Sequence, residues 1–146
     1  MPITNKTYKA VELEELFFYT LYNFSAYWEI GKLSQQAADK IAPIIGRNIA
    51  GYTIRLYNSE LKHILARHFF ETNKNQRNVC FEDMKKFDVV VNQYSTVSIG
   101  KKASTLVFSK MLLNLSYLSE KMILVADIDH KRKILLVKTC WIKQRK

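Results

Sequence analysis

The sequence predicts an α+β fold, with N-terminal helices followed by an antiparallel β-meander of about four strands. Three observations predict it. Apolar residues recur at three- and four-residue spacing in the first half, which is one face of a helix. Runs rich in Val, Ile, Leu and Thr fill the last third. Glycine and proline, at four and two copies, are too scarce for a disordered or low-complexity chain. A length of 146 residues suits one domain, 1–146, with a helical part over 1–48 and an α+β core over 49–146. There is no internal repeat and no linker.

The elements follow in order. Leu13, Phe17, Leu21, Phe24 and Trp28 form one stripe, which predicts an amphipathic helix over Val11–Glu29, stopped by Gly31. Its rings, Phe17, Phe18, Tyr19, Tyr22, Phe24, Tyr27 and Trp28, lie on more than one side, more than one core face needs. Most of these rings read as core, and the alternative makes the segment a candidate dimer contact or docking face. Ser34 caps a second helix to Ile45, interrupted near Pro43, and Gly46 and Gly51 bracket a loop. Tyr52–Tyr57 alternates and is rich in β-formers, so it predicts a strand. Asn58 or Ser59 caps a helix from Glu60 to about Phe70, with Leu61, Ile64, Leu65 and His68 on one face. Asn73–Asn78 is a polar loop, and Phe81–Val91 a short helix leading into extended chain. Strands follow at Thr96–Ile99, Thr105–Lys110, Met122–Ile128 and Ile134–Ile142, with Asp129–Arg132 as the last tight turn.

Composition narrows the function. The formal charge is +10, and residues 1–30 hold two lysines against four glutamates, so the excess lies in the remainder. Lys131–Lys146 carries seven basic residues and no acidic one. Such a field attracts polyanions, above all RNA. The most apolar stretch, Leu13–Ile30, is interrupted by Glu14, Glu15 and Glu29, so no membrane span and no membrane partner are expected, and the chain reads as cytoplasmic. Cys80 and Cys140 are too few for a disulfide scaffold and read as small core residues. A glycine-rich phosphate loop, a Gly-x-Ser-x-Gly elbow and a paired-carboxylate spacing are all missing.

Few residues remain for chemistry. His63 and His68 share a helix but point about 140° apart at 100° per residue, so they are not a His-x3-His metal pair. No metal and no cofactor are expected. His68, at the edge of the apolar face, reads as a structural residue or as a titratable base beside Arg67, Lys62 and His63. His130 reads as a solvated turn residue. On the last strand, Thr139, Trp141 and Lys143 share one side and Lys138, Cys140 and Ile142 the other. A hydroxyl, a ring and a cation on one face suit an RNA cleft, while Trp141 in the core is the alternative. Arg55, Lys62, Trp141 and Lys143 are the candidate RNA contacts.

The stretch Tyr52–His68, which ends in His-Ile-x-x-Arg-His, resembles the signature of the phage-type Barnase–EndoU–colicin–RelE-like nucleases. Leu106–Lys110 and Leu135–Trp141, with its Lys-Thr-x-aromatic ending, are similar to the rest of that family's core. The resemblance covers residues 50–143 and, faintly, Gly31-Lys32. It implies a metal-independent endoribonuclease, a toxin of phages or other mobile elements, with His63, Arg67, His68, Lys110 and Thr139 as its catalytic residues. The implied reaction is attack of a ribose 2′-hydroxyl on the adjacent phosphate to give a 2′,3′-cyclic phosphate. His68 or His63 would be the base, Arg67 and Lys110 would stabilise charge, and Thr139 would hold a phosphate oxygen. The implied partners are RNA, with tRNA among the candidates, and an antitoxin or immunity protein. Trp141 stands where the family's pattern leads one to expect tyrosine, and the resemblance does not explain the aromatic segment 11–29, the candidate homodimer contact. Two competing readings are a non-catalytic nucleic-acid-binding protein and a phage-encoded inhibitor acting by protein–protein contact.

Overall fold

The computed structural model describes residues 6–72, 75–112 and 119–145. The chain runs β1 (Tyr8–Ala10), α1 (Leu13–Leu21), β2 (Ala26–Lys32), α2 (Gln35–Ile45), β3 (Thr53–Tyr57) and α3 (Asn58–His68). It continues with β4 (Gln76–Arg77), α4 (Phe81–Met84), α5 (Phe87–Asn92), β5 (Thr96–Ile99), β6 (Thr105–Leu112), β7 (Ser119–Asp129) and β8 (Ile134–Arg145). The fold is α+β, but strands and helices alternate from the start.

The sheet has the order β1-β2-β3-β8-β7-β6-β5, with the short β4 pairing the far end of β8. β5 to β8 are antiparallel neighbours. They form only half of a mixed sheet, because β1 pairs β2 and β3 pairs β8 in parallel. The expected four-strand antiparallel sheet is therefore too small, and the segment 1–48 is not purely helical. Its two strands extend the sheet beyond β3.

The largest correction falls on Val11–Glu29, which is not one helix. Leu13, Leu16 and Thr20 bury one face of α1, and Thr20 closes its hydroxyl on the Leu16 carbonyl at 2.7 Å. The helix then ends because Asn23 turns left-handed (φ 60°), a conformation asparagine tolerates. The Phe24 N–H folds back to the Tyr19 carbonyl at 2.9 Å. Tyr27, Trp28 and Glu29 lie in β2, where the period is two. Gly31 is no helix stop. It follows the β2 bulge, and a Cβ there would come within 3.3 Å of Asp88. Phe18, Leu21, Tyr22 and Phe24 are left exposed around the end of α1.

Other expectations shift for local reasons. Ser34 does cap α2, accepting from the Ala37 N–H at 3.1 Å, but the helix runs through Pro43 to Gly46 (φ 72°). Proline near a helix's last turn disturbs few ladder bonds. Neither Asn58 nor Ser59 caps α3. Tyr57 precedes it, and the Asn58 amide instead ties the Phe24 carbonyl (2.6 Å) and the Ala26 N–H (3.4 Å) to the start of α3. Phe81–Val91 is two short helices, with no extended segment. Within the expected loop 73–78, β4 occupies Gln76–Arg77, while residues 73–74 lie outside the described residues. Cys80 is exposed, with its thiol donating to Asp83 at 3.2 Å, and only Cys140 is core. His130 is not simply solvated, because its Nδ1 lies 3.0 Å from the buried Tyr52 hydroxyl.

One face of the sheet is dry. Ile54, Leu56, Leu106, Phe108, Leu124, Ala126, Leu135, Val137, Cys140 and Ile142 are all fully buried in one cluster with residues of α1 to α5. Of the alternate residues, Arg55, Tyr57, Val107, Val125, Leu136 and Trp141 are only half-buried, while Ser109 and Ile123 are buried. No helix among the described residues is long and apolar enough to cross a membrane.

Candidate active site

The site arises from a gap in the sheet. β3 covers only the start of β8, at Ile134–Leu136, and β4 only its end, at Ile142–Lys143. Among the described residues, no strand pairs residues 137–141 on that side. α3 leaves β3 without a connecting residue and packs against β8. A pocket of about 280 Å³ lies between them, lined by Ser59, Glu60 and His63 of α3 and by Lys138 and Thr139 of β8.

A bulge makes this wall. Val125 pairs Thr139 but Ala126 pairs Val137, so Lys138 is an extra residue without a partner on β7. The strand's alternation slips by one there. Lys138 therefore joins Thr139 in the pocket, rather than facing with Cys140 as strict alternation requires. Its Nζ is held by the Glu60 carboxylate at 3.0 Å. The Thr139 hydroxyl is buried and has no hydrogen-bond partner among the described residues. An unpaired buried hydroxyl costs on the order of 1–3 kcal/mol, which favours a ligand oxygen to pair it.

The two histidines meet, despite the angle between their positions on α3. Their ring centroids are 6.1 Å apart, edge to face. His63 is an exposed residue lining the pocket. Partial desolvation first, then the charge of Arg67 and of His68 and Lys138, lower its pKa below the ordinary value, against an opposing pull from Glu60. His68 is packed on its other side by Trp141, with centroids 6.2 Å apart and planes within 28°. Its Nδ1 lies 2.7 Å from the buried Glu71 carboxylate. That bond fixes the ring and leaves Nε2 free to act. Glu71 is itself anchored by its N–H to the Asn78 side chain at 2.7 Å.

Of the other expected residues, Arg67 is exposed one turn beyond His63 and acts on it electrostatically. Lys62 is exposed on α3, and Lys143 is exposed two residues past Trp141, on the same side of β8 as Thr139. Lys110 is not brought to the pocket. It stands across from buried Met122, which stands across from buried Ile142, so it is on the other face from Thr139. Its Nζ donates to the Gln93 carbonyl at 2.9 Å. Arg55 is largely buried, its guanidinium 4.1 Å from the centre of the Tyr27 ring and bonded to Glu29 at 2.7 Å and to the Tyr57 hydroxyl at 3.0 Å.

Sequence reasoning missed Ser59, Glu60, Glu71 and Lys138. Ser59 and Glu60 stand four and three residues before His63, a helical spacing that the sequence does show. Lys138 needs the bulge and Glu71 needs the chain's turn after α3, and neither leaves a sequence pattern. Among the described residues no group of three or more His, Cys, Asp or Glu could hold a metal ion.

No curated protein and no solved structure matches the chain. Residues 31–146 do match the family model described as phage-Barnase-EndoU-ColicinE5/D-RelE like nuclease3, while β1, α1 and most of β2 precede the match. The match takes in every residue of the pocket and both histidines, so the chain belongs to this family of phage-type nucleases.

Proposed function

We propose that this nuclease cleaves RNA without a metal ion, by attack of the 2′-hydroxyl on the adjacent phosphate. The observation that carries the reading is the pair of touching imidazoles. One lines the pocket with its pKa lowered, and the other is held by a carboxylate. Such a pair supplies the base and the acid that transesterification needs. His63 takes the 2′-proton as the oxygen bonds to phosphorus. His68 gives a proton to the departing 5′-oxygen as that P–O bond breaks, leaving a 2′,3′-cyclic phosphate and a 5′-hydroxyl. Arg67 and Lys138 face the charge that builds on the phosphorane, and the Thr139 hydroxyl donates to a non-bridging oxygen. Lys138 takes the place first given to Lys110. Trp141 and Lys143 extend the same side of β8 for a base and a phosphate. The family's phage association supports a toxin role for such an activity, with an antitoxin or immunity protein as its partner.

The test is digestion of purified RNA in EDTA by wild type, His63→Ala and His68→Ala. Fragments ending in 2′,3′-cyclic phosphate are expected from wild type. Each variant should lose on the order of 10²–10⁴-fold in rate. Undiminished cleavage by either variant removes that histidine from the reaction. Intact RNA with wild type leaves nucleic-acid binding without catalysis as the better reading.

A further inference from the structure

The half-exposed face of the sheet carries a second cluster that the reaction above does not use. Tyr27 of β2 pairs directly with Tyr57 of β3, and their rings lie 5.7 Å apart. In the parallel register of β3 on β8, Thr53 pairs Ile134 and Arg55 pairs Leu136. That pairing ends at Leu136, two residues before Lys138 of the pocket wall, and Tyr57 stands two residues past Arg55, where β3 gives way to α3. Tyr27 and Tyr57 therefore form a cross-strand row of two rings on β2 and β3. Tyr57 is also the residue before α3, two before Ser59 of the pocket wall.

The row is braced from below and flanked by charge. Arg55 lies against Tyr27 and bonds the Tyr57 hydroxyl, while Glu29 and, through it, Lys9 hold the guanidinium in place. Its Nε is buried with no partner among the described residues. Arg132, in the β7–β8 turn, bonds the same Tyr57 hydroxyl at 3.2 Å, and more than half of its side chain is exposed. Two rings fixed in place and a solvent-facing guanidinium beside them suit one ligand class, a nucleotide. A protein partner would seek a larger apolar surface than two half-buried tyrosines, and the positive chain favours a polyanion.

We propose that Tyr57 and Tyr27, with Arg132, bind a nucleotide of the single-stranded RNA next to the one cleaved in the pocket. Tyr57 stacks the base, Arg132 meets its phosphate, and Arg55 is a positioning residue that holds both rings. This rests on the pocket being the cleavage site. Trp141 and Lys143 lie beyond Thr139 on β8, so the strand is gripped on both sides of the scissile phosphate.

The test compares a dinucleotide and a hexanucleotide substrate with wild type, Tyr57→Leu and Tyr57→Trp. For Tyr57→Leu the hexanucleotide KM should rise about tenfold or more, as loss of one base–ring stack implies, with the larger effect on KM than on kcat. The dinucleotide KM should move less. Tyr57→Trp should restore the hexanucleotide KM, which a mere folding defect would not allow. An unchanged hexanucleotide KM in Tyr57→Leu, or equal losses on both substrates, overturns the subsite. If wild type cleaves neither substrate, the nuclease reading fails. The subsite is then judged by fluorescence anisotropy of the labelled hexanucleotide: weaker binding by Tyr57→Leu supports it, and equal or absent binding overturns it.

Discussion

At the residue scale, the site is a set of groups held out of their usual condition. The Thr139 hydroxyl is buried with no partner among the described residues, and partial desolvation, then neighbouring cations, lower the pKa of His63. Each condition has a separate consequence. Thr139→Val deletes an unsatisfied donor and keeps the shape, so the variant should melt no lower than wild type while cleavage falls. Parallel thermal melts and rate measurements check this, and a large drop in melting temperature would show that the hydroxyl has a structural partner. His63 must be deprotonated to act as a base, and its pKa is lowered. The acid limb of the kcat/KM profile should therefore lie below pH 6.5, the ordinary histidine value, with the rate falling as pH drops through it. Arg67 is part of the cause, so Arg67→Ala should move that limb to higher pH as well as lower the rate. Glu60 pulls the other way, so Glu60→Gln should move it to lower pH. A limb that stays in place in both variants would take the base role from His63.

At the element scale, the sheet's gap depends on pieces too short to stand alone. β4 has two residues and α4 four, and one arginine pins them. Arg77 bonds both Asp83 oxygens at 2.8 Å, and its Nε donates to the Glu120 carboxylate on β7, which also accepts from Gln144. Arg77→Ala would take the guanidinium from two nearly buried carboxylates, leaving the Cys80 N–H and thiol on Asp83 and the Gln144 amide on Glu120. Removing one partner of a buried pair costs about 3–5 kcal/mol. The guanidinium is partly solvated, so the lower end applies, about 3 kcal/mol or roughly 6–12 °C in a chain this long. Differential scanning calorimetry checks it. Burial pushes the Asp83 carboxyl up, but Arg77, then the Cys80 backbone N–H and thiol, outweigh it and hold its pKa below the ordinary value of 3.8. Its contribution to stability is therefore present above that value and is lost as pH falls through the lower, folded one. The strand runs from β5 to β8 were legible in the sequence because β-branched and apolar runs repeat between turns. The break in Val11–Glu29 was not. Leu13, Phe17, Leu21, Phe24 and Trp28 keep helical spacing on paper, and only the left-handed Asn23 and pairing with β3 override it.

At the scale of the whole molecule, charge and shape divide the labour. The net charge of +10 attracts polyanions, and in the proposed reading Arg67 of α3, Lys138 and Lys143 of β8 and Arg132 of the β7–β8 turn are the phosphate contacts. Single-stranded binding loses about 0.7 in the log–log salt slope per phosphate contacted, so four contacts imply a slope of about −3. Lys143→Ala should flatten it by about 0.7, and titrations at several salt concentrations with a non-cleavable DNA strand measure it. An unchanged slope would remove Lys143 from these contacts. The basic excess, the His-Ile-x-x-Arg-His helix and the closing strand with Thr139 and Trp141 were determined by the sequence itself. They depend on residue type and on spacing within single elements. The meeting of His63 with His68, the turn of Lys138 into the pocket, the support from Glu71 and the exclusion of Lys110 were decided only by tertiary structure. They depend on a one-residue bulge and on which strands leave β8 uncovered. Such features arise from pairing between distant segments, and periodicity within one segment carries no record of them.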